Sequence, residues 1–162
     1  MLRFSALTFA FAAVLAAQAN AATDLTEAQA RTIVAPFYDA LNKPATKDLQ
    51  ALFDQATSPD WVSCGGNETC LPRERVIAAF KQRGSEIPNL MWTIKEIVVV
   101  GNRVIVRGEG SGTPADVFLG VKPNGKSFRV MAIDVHTIEG GKMVRSFHVE
   151  DWAGAIRQLS AP

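Results

Sequence analysis

The sequence predicts an α+β domain, with N-terminal helices packed on one face of an antiparallel sheet. Three observations predict it. Apolar residues recur at helical spacing in the first half, as in Ile33, Val34, Phe37, Tyr38 and Leu41. From Leu90 onward the pattern becomes runs of β-formers separated by glycine turns. Helices followed by strands is the order of the α+β class. A strongly curved sheet with helices across its concave side would leave a cone-shaped cavity, a natural ligand site.

The elements follow in chain order. Thr26 and Gln29 have the spacing of a capping box, which starts a helix at that point. Pro36 lies inside the same apolar pattern, so a kink or a late helix start is expected. Thr46 is the expected cap of a second helix carrying Leu49, Leu52 and Phe53 on one face. Pro72 suits the first turn of a third helix that buries Val76, Ile77 and Phe80. The expected strands are Leu90–Val100, Val104–Glu109, a short Phe118–Val121, Ser127–Ile138 and Lys142–Asp151. Gly108, Gly110 and Gly112 alternate in or after a strand, which suggests a kink or bulge rather than a phosphate loop. Trp152–Leu159 reads as a closing helix.

The chain begins with a different signal. Arg3 is the only charged side chain before Asp24, an apolar stretch runs from Phe4 to Ala17, and Ala19-Asn20-Ala21 closes it with small residues. Residues 1–21 therefore read as a cleaved signal peptide, and 22–162 as one domain. The apolar run is shorter than the roughly 20 residues a membrane span needs, so no membrane attachment is expected after cleavage. The expected location is periplasmic or secreted. Seventeen Lys and Arg against sixteen Asp and Glu give a formal net charge of +1 with no basic stripe, which argues against nucleic acid as a partner. The two cysteines, Cys64 and Cys70, flank a short glycine-rich loop, and in an oxidising compartment they are expected to form a disulfide.

The strand half carries a resemblance. Val104–Thr113, Phe118–Lys126, Ile133–Met143, Phe147–Asp151 and Arg157–Leu159, with a compatible Pro59-Asp60-Trp61, are similar to the SnoaL-like polyketide cyclase or ester cyclase family. It covers roughly Ile33 to Leu159 and implies the NTF2-like cone-shaped barrel of that superfamily. It implies intramolecular aldol ring closure by an acid/base side chain in the cone, without metal or organic cofactor. Three positions depart from the family. Members often read Gly-Thr-His where this chain has Gly112-Thr113-Pro114. The aromatic of the last strand, usually Trp, is Phe147. The next position, often an acid in cyclases, is His148.

Asp134 is the first candidate for chemistry, because it interrupts an apolar strand of Val130 to Ile133 and Val135. Burial there would raise its pKa and suit it to acid/base work. His148 falls on the neighbouring strand and can move protons near neutral pH. Counting back from Glu139-Gly140-Gly141, Asp134 meets Ser146 or His148 if the turn has three residues, and Phe147 if it has four. Asp151 ends the last strand, where it would sit at a cavity mouth as a third catalytic group or cap the closing helix. Tyr38, Trp61, Trp92, Phe118, His136 and Phe147 are the candidate ligand-pocket residues.

Two functions stand side by side. The first is a cofactor-free isomerase, cyclase or hydratase on a small hydrophobic carbonyl compound. The second is a non-catalytic module that holds a small hydrophobic molecule in the same cone. A third reading, a homodimer paired through the exposed sheet face, comes from the habits of the fold.

Overall fold

In the computed structural model, which describes residues 24–161, Thr26 caps the first helix, α1 (Glu27–Ala40). The Thr26 hydroxyl accepts from the Gln29 backbone N–H at 3.2 Å, and the Gln29 side chain accepts from the Thr26 N–H at 2.9 Å. The reciprocal capping box is therefore formed. α1 does not start late; it continues through Pro36, where burial of Val34, Phe37, Tyr38 and Ala40 offsets the missing N–H. The segment expected to be a signal peptide, 1–21, lies outside the described residues.

The second helix, α2 (Leu49–Ala56), is capped by Asp48, whose carboxylate accepts from the Ala51 N–H at 3.0 Å. Thr46, the expected cap, ends a short 3-10 turn, Pro44–Thr46. Pro72 occupies the cap position of the third helix, α3 (Arg73–Glu86), one residue earlier than expected. Arg73 is buried at the start of that helix. It donates from Nε to Thr57 Oγ1 at 3.0 Å and pairs with Asp54, which ties α3 to the end of α2.

Six strands form one sheet in the order β2-β1-β6-β5-β4-β3. They are β1 (Thr57–Cys64), β2 (Cys70–Pro72), β3 (Met91–Val100), β4 (Arg103–Gly112), β5 (Phe128–Glu139) and β6 (Lys142–Glu150). The helix α4 (Trp152–Ser160) closes the chain. β1 and β2 fall in the half that reads as helical, and β1 runs parallel to β6, so the sheet is mixed rather than antiparallel throughout. Pro59 hides β1 in the sequence: it cannot donate to the ladder, and the register shifts between Thr57 and Val62, where it stands. Cys64 and Cys70 are bonded, opposite each other across β1 and β2. Phe118 and Val121 form an isolated bridge around a tight turn, not a strand of the sheet.

The alternating glycines have a different use from the one expected. Pairing of β4 with β5 is regular throughout, and the bulge lies on β3 between Ile94 and Glu96. A Cβ at Gly110 would come within 2.5 Å of the Trp92 ring, and one at Gly108 within 3.0 Å of its Nε1. The bare backbone of β4 thus lets the indole lie against the sheet. Helices and sheet enclose an aromatic core in which Phe37 meets Tyr38, Phe53, Trp61 and His136 edge-on, with ring centroids 5.4 to 5.9 Å apart.

The β5–β6 hairpin decides the register left open by turn counting. Gly140 and Gly141 form a two-residue turn, with φ of 55° and 75°, between the paired Glu139 and Lys142. That turn alone would place Asp134 opposite Phe147. The pairing then changes from Ile138↔Met143 to Thr137↔Arg145, leaving Val144 as an extra residue in β6. The bulge shifts every later pair by one, and Asp134 faces His148.

Candidate active site

A cavity of about 290 Å³ opens between the sheet and α3. Its walls are mostly apolar, with Phe37, Leu41, Val76, Phe80, Trp92 and Trp152 among them. The polar side chains reaching it include Asp134 from β5, and Ser146, His148 and Glu150 from alternate positions of β6. Period-2 geometry explains the grouping: residues two apart on a strand share a face.

Asp134 is nearly buried, at 5 % exposed. Burial pushes its carboxyl up to about 6, against a lowering by the Tyr38 hydrogen bond. Glu150 pushes the same way as burial, and His148 opposes it. Its Oδ2 accepts the Tyr38 hydroxyl at 2.7 Å. Behind it stands a chain of buried groups. Tyr38 Oη lies 3.1 Å from His136 Nε2, His136 Nδ1 lies 2.7 Å from Ser146 Oγ, and Trp61 Nε1 donates to Ser146 Oγ at 3.0 Å.

The direction of this chain is fixed by its ends. The ionised Asp134 only accepts, so Tyr38 gives it its one proton and accepts from His136 Nε2; a neutral His136 then takes the Ser146 proton on Nδ1, and Ser146 accepts from Trp61. Burial pushes the His136 ring down to about 3, so it is neutral and carries its hydrogen on Nε2. That N–H donates to Tyr38 Oη, and Tyr38 donates to the carboxylate. Burial, with the neighbouring Asp134 charge, pushes the Tyr38 hydroxyl far above its ordinary range, so it stays protonated.

The second group is at β6. His148 Nδ1 lies 2.8 Å from Glu150 Oε1, and since a carboxylate accepts, the nitrogen donates. Glu150 Oε2 accepts the Trp152 indole N–H at 3.1 Å. The hydrogen bond to Glu150 raises the His148 pKa above its ordinary value against a smaller opposing effect of burial. The other edge of the ring, Cε1 and Nε2, faces Gly65, where a Cβ would sit 3.5 Å away. Gly65 and Thr69 border the cavity from the loop that the Cys64–Cys70 bond closes, and Leu71 borders it from β2 just beyond. Arg83 borders it from α3, its guanidinium 4.6 Å above the Phe118 ring and 3.3 Å from Glu86.

The family model described as SnoaL-like polyketide cyclase matches residues 32–159. The chain belongs to that family. Among solved structures, TsrD from Streptomyces laurentii is 25% identical with a TM-score of 0.73, covering 86% of this chain and all of its own. A SnoaL-like protein from Jannaschia sp. CCS1 is 21% identical with a TM-score of 0.73, covering 86% of this chain and 98% of its own, and it shares the fold. IdmH of Streptomyces antibioticus is 25% identical with a TM-score of 0.68, over 80% of this chain and 96% of its own. No curated protein matches the chain.

Against the residues singled out in the sequence, this SnoaL-like chain brings Asp134, His148 and Trp92 to the cavity. Asp134 and His148 face each other across the strands but share no hydrogen bond; the imidazole is held by Glu150 instead. Asp151 is not at the cavity. It is exposed and caps α4, its Oδ1 accepting from the Gly154 N–H at 2.8 Å, which satisfies an open helix terminus. Tyr38, Trp61 and His136 are not pocket lining but the buried chain behind Asp134. Phe118 packs beside the cavity on Phe128 and Trp152. Phe147 alternates with the cavity residues of β6 and so belongs to the other face. Glu150 and Ser146 were missed as functional groups. Their signal was the polar alternation Ser146, His148, Glu150 along one strand.

Proposed function

We propose that this protein is a cofactor-independent acid/base enzyme of cyclase or isomerase type, acting on a small hydrophobic carbonyl compound of polyketide kind. The observation that supports it most is Asp134, a nearly buried carboxylate on the wall of an apolar cavity, with a pKa raised to about 6 and an imidazole opposite.

In this reading the ionised Asp134 takes a proton from a carbon next to a carbonyl. His148, its Nδ1–H held by Glu150, presents its other nitrogen as an N–H to the carbonyl oxygen, and an enol forms. The enol carbon then attacks a second carbonyl of the same molecule. A carbon–carbon bond forms, the enol O–H proton returns to His148 as the first carbonyl is restored, and Asp134 gives its proton to the new oxygen, so atoms and charge balance. An isomerase uses the first half alone and reprotonates another carbon. Each proton transfer of this kind contributes about 10²–10⁴ in rate. The apolar wall keeps water away and fits a planar, largely hydrophobic molecule.

The same proposal puts the protein outside the cytoplasm. The signal-like start and the Cys64–Cys70 bond support that location. A non-catalytic binder remains the second reading, supported by Pro114, a buried apolar residue where family members often have histidine.

Deuterium uptake from D₂O at the α-carbon of 2-tetralone separates the two. The enzyme reading expects uptake at least about 10² above the protein-free rate, falling close to background in Asp134→Asn. Equal uptake by wild type and Asp134→Asn would remove Asp134 as the base.

A further inference from the structure

The chain behind Asp134 asks for an explanation that packing alone does not give. A buried Tyr, His and Ser could be replaced together by apolar residues of similar shape at little cost in stability. Instead every N–H and O–H between Trp61 and Asp134 has a partner in the chain, and all run in one direction. The chain ends on Oδ2 of Asp134, and no hydrogen bond from a described residue reaches Oδ1. The result is a carboxylate with one oxygen tied to the protein interior and the other left to the cavity.

We propose that His136 is a positioning residue for Asp134: in the Nε2–H tautomer, with Nδ1 held by Ser146, it polarises and aims the Tyr38 hydroxyl, which holds Oδ2 and leaves Oδ1 to face the bound molecule. Hydrogen bonds arranged head to tail strengthen one another, so the N–H entering Tyr38 makes its O–H a better donor. The tautomer is not free to vary, because Tyr38 has one proton and gives it to the ionised Asp134, so its contact with His136 needs the hydrogen on Nε2, and Nδ1 then accepts from Ser146. A His136 with its hydrogen on Nδ1 would turn a lone pair toward Tyr38 and compete with Asp134 for the hydroxyl proton. The inference rests on Asp134 being the base of the proposed reaction.

The groups that face Asp134 are Tyr38 from α1, His148 and Glu150 from β6, and His136 through Tyr38. Tyr38, His136 and Ser146 make no hydrogen bond to His148 or Glu150, so a change in Asp134 titration reports the chain. The test is a pH titration of the Asp134 carboxyl carbon by NMR in ¹³C-aspartate-labelled protein, with no ligand added.

Tyr38→Phe deletes only a hydroxyl and keeps the ring, and the Asp134 midpoint is expected to rise by about one pH unit. His136→Leu is expected to raise it by about half a unit, and Ser146→Ala by less. His136→Gln, whose amide N–H can reach Tyr38, is expected to stay close to wild type. An unmoved midpoint in Tyr38→Phe overturns the proposal even if His136→Leu fails to fold. A midpoint raised equally by His136→Gln and His136→Leu also overturns it, since the donor would then not matter. The deuterium uptake of Asp134→Asn fails separately if Asp134 is not the base, because the titration needs no substrate.

Discussion

Two polar groups border the same cavity and are built in opposite ways. The one behind Asp134 is closed: His136 and Ser146 are buried, and each hydrogen bond runs inward from Trp61. The one at His148 is half open, with the ring at the cavity mouth beside Gly65 and only Glu150 and Trp152 behind it. Both start at an indole N–H, which can only donate. They end in opposite charge states. The closed group holds a carboxylate that burial makes more basic; the open group holds an imidazole whose protonated form a neighbouring carboxylate favours. In the proposed reaction, depth in the fold, rather than residue type alone, divides the labour between base and acid.

The largest effect expected to sharpen this contrast comes from Asp134→Asn, in stability as well as rate. The Asp134 carboxyl rises from 3.8 to about 6 on folding, so between those values the native state holds a proton the unfolded state has lost. Stability therefore falls as pH rises through that window and stays lower at pH 7, by about 3 kcal/mol at 1.36 kcal/mol per unit. Asp134→Asn is expected to recover about 1–3 kcal/mol at pH 7, read by urea denaturation, while deuterium uptake collapses. His136 acts in the other direction. Its pKa falls from 6.5 to about 3, so the unfolded state gains a proton first and stability drops as pH falls through that range. In wild type the two slopes oppose each other; in Asp134→Asn the Asp134 contribution is gone, and the acid loss becomes steeper. A variant less stable than wild type at pH 7 would break the account of the closed group.

Glu150→Gln tests the open group. Without the carboxylate, His148 loses its proton at lower pH, and the uptake rate at pH 7 is expected to fall about tenfold. The acid limb follows by less, because Glu150 also raises Asp134. An unchanged basic limb would show that the pair does not supply the acid. The smallest effect on rate belongs to the loop. Replacing Cys64 and Cys70 together by Ser frees a closure of sequence separation 6. The expected stability loss is about 2 kcal/mol. Gly65, Thr69 and Leu71 border the cavity, so KM for 2-tetralone is expected to rise about threefold with kcat nearly constant, the result of a looser wall rather than a lost group.

Much of the fold was legible. The capping box at Thr26 and the helical spacing after it are local signals that formed as read, and a turn formed at Gly140-Gly141, though with two residues rather than three or four. The first strand was not legible, because Pro59 breaks its pattern and its partner, β6, is far along the chain. Asp134 stood out because a carboxylate in an apolar strand is locally anomalous. Its neighbour could not be read, since one unpaired residue, Val144, sets the register. The closed group was invisible for a related reason: Tyr38 and Asp134 are 96 residues apart, and no periodicity joins them. Tyr38, Trp61 and His136 carried a correct signal of importance with the wrong geometry, as pocket lining instead of support.

The most direct measurement is the pH dependence of kcat/KM for α-deuterium uptake by wild type. A base near 6 and an acid above 6.5 predict a bell, with an acid limb close to pH 6 from Asp134 and a basic limb above pH 6.5 from His148. A rate that rises through pH 6 and never falls, or that shows no limb near 6, would contradict the division of the cavity into a buried base and an open acid.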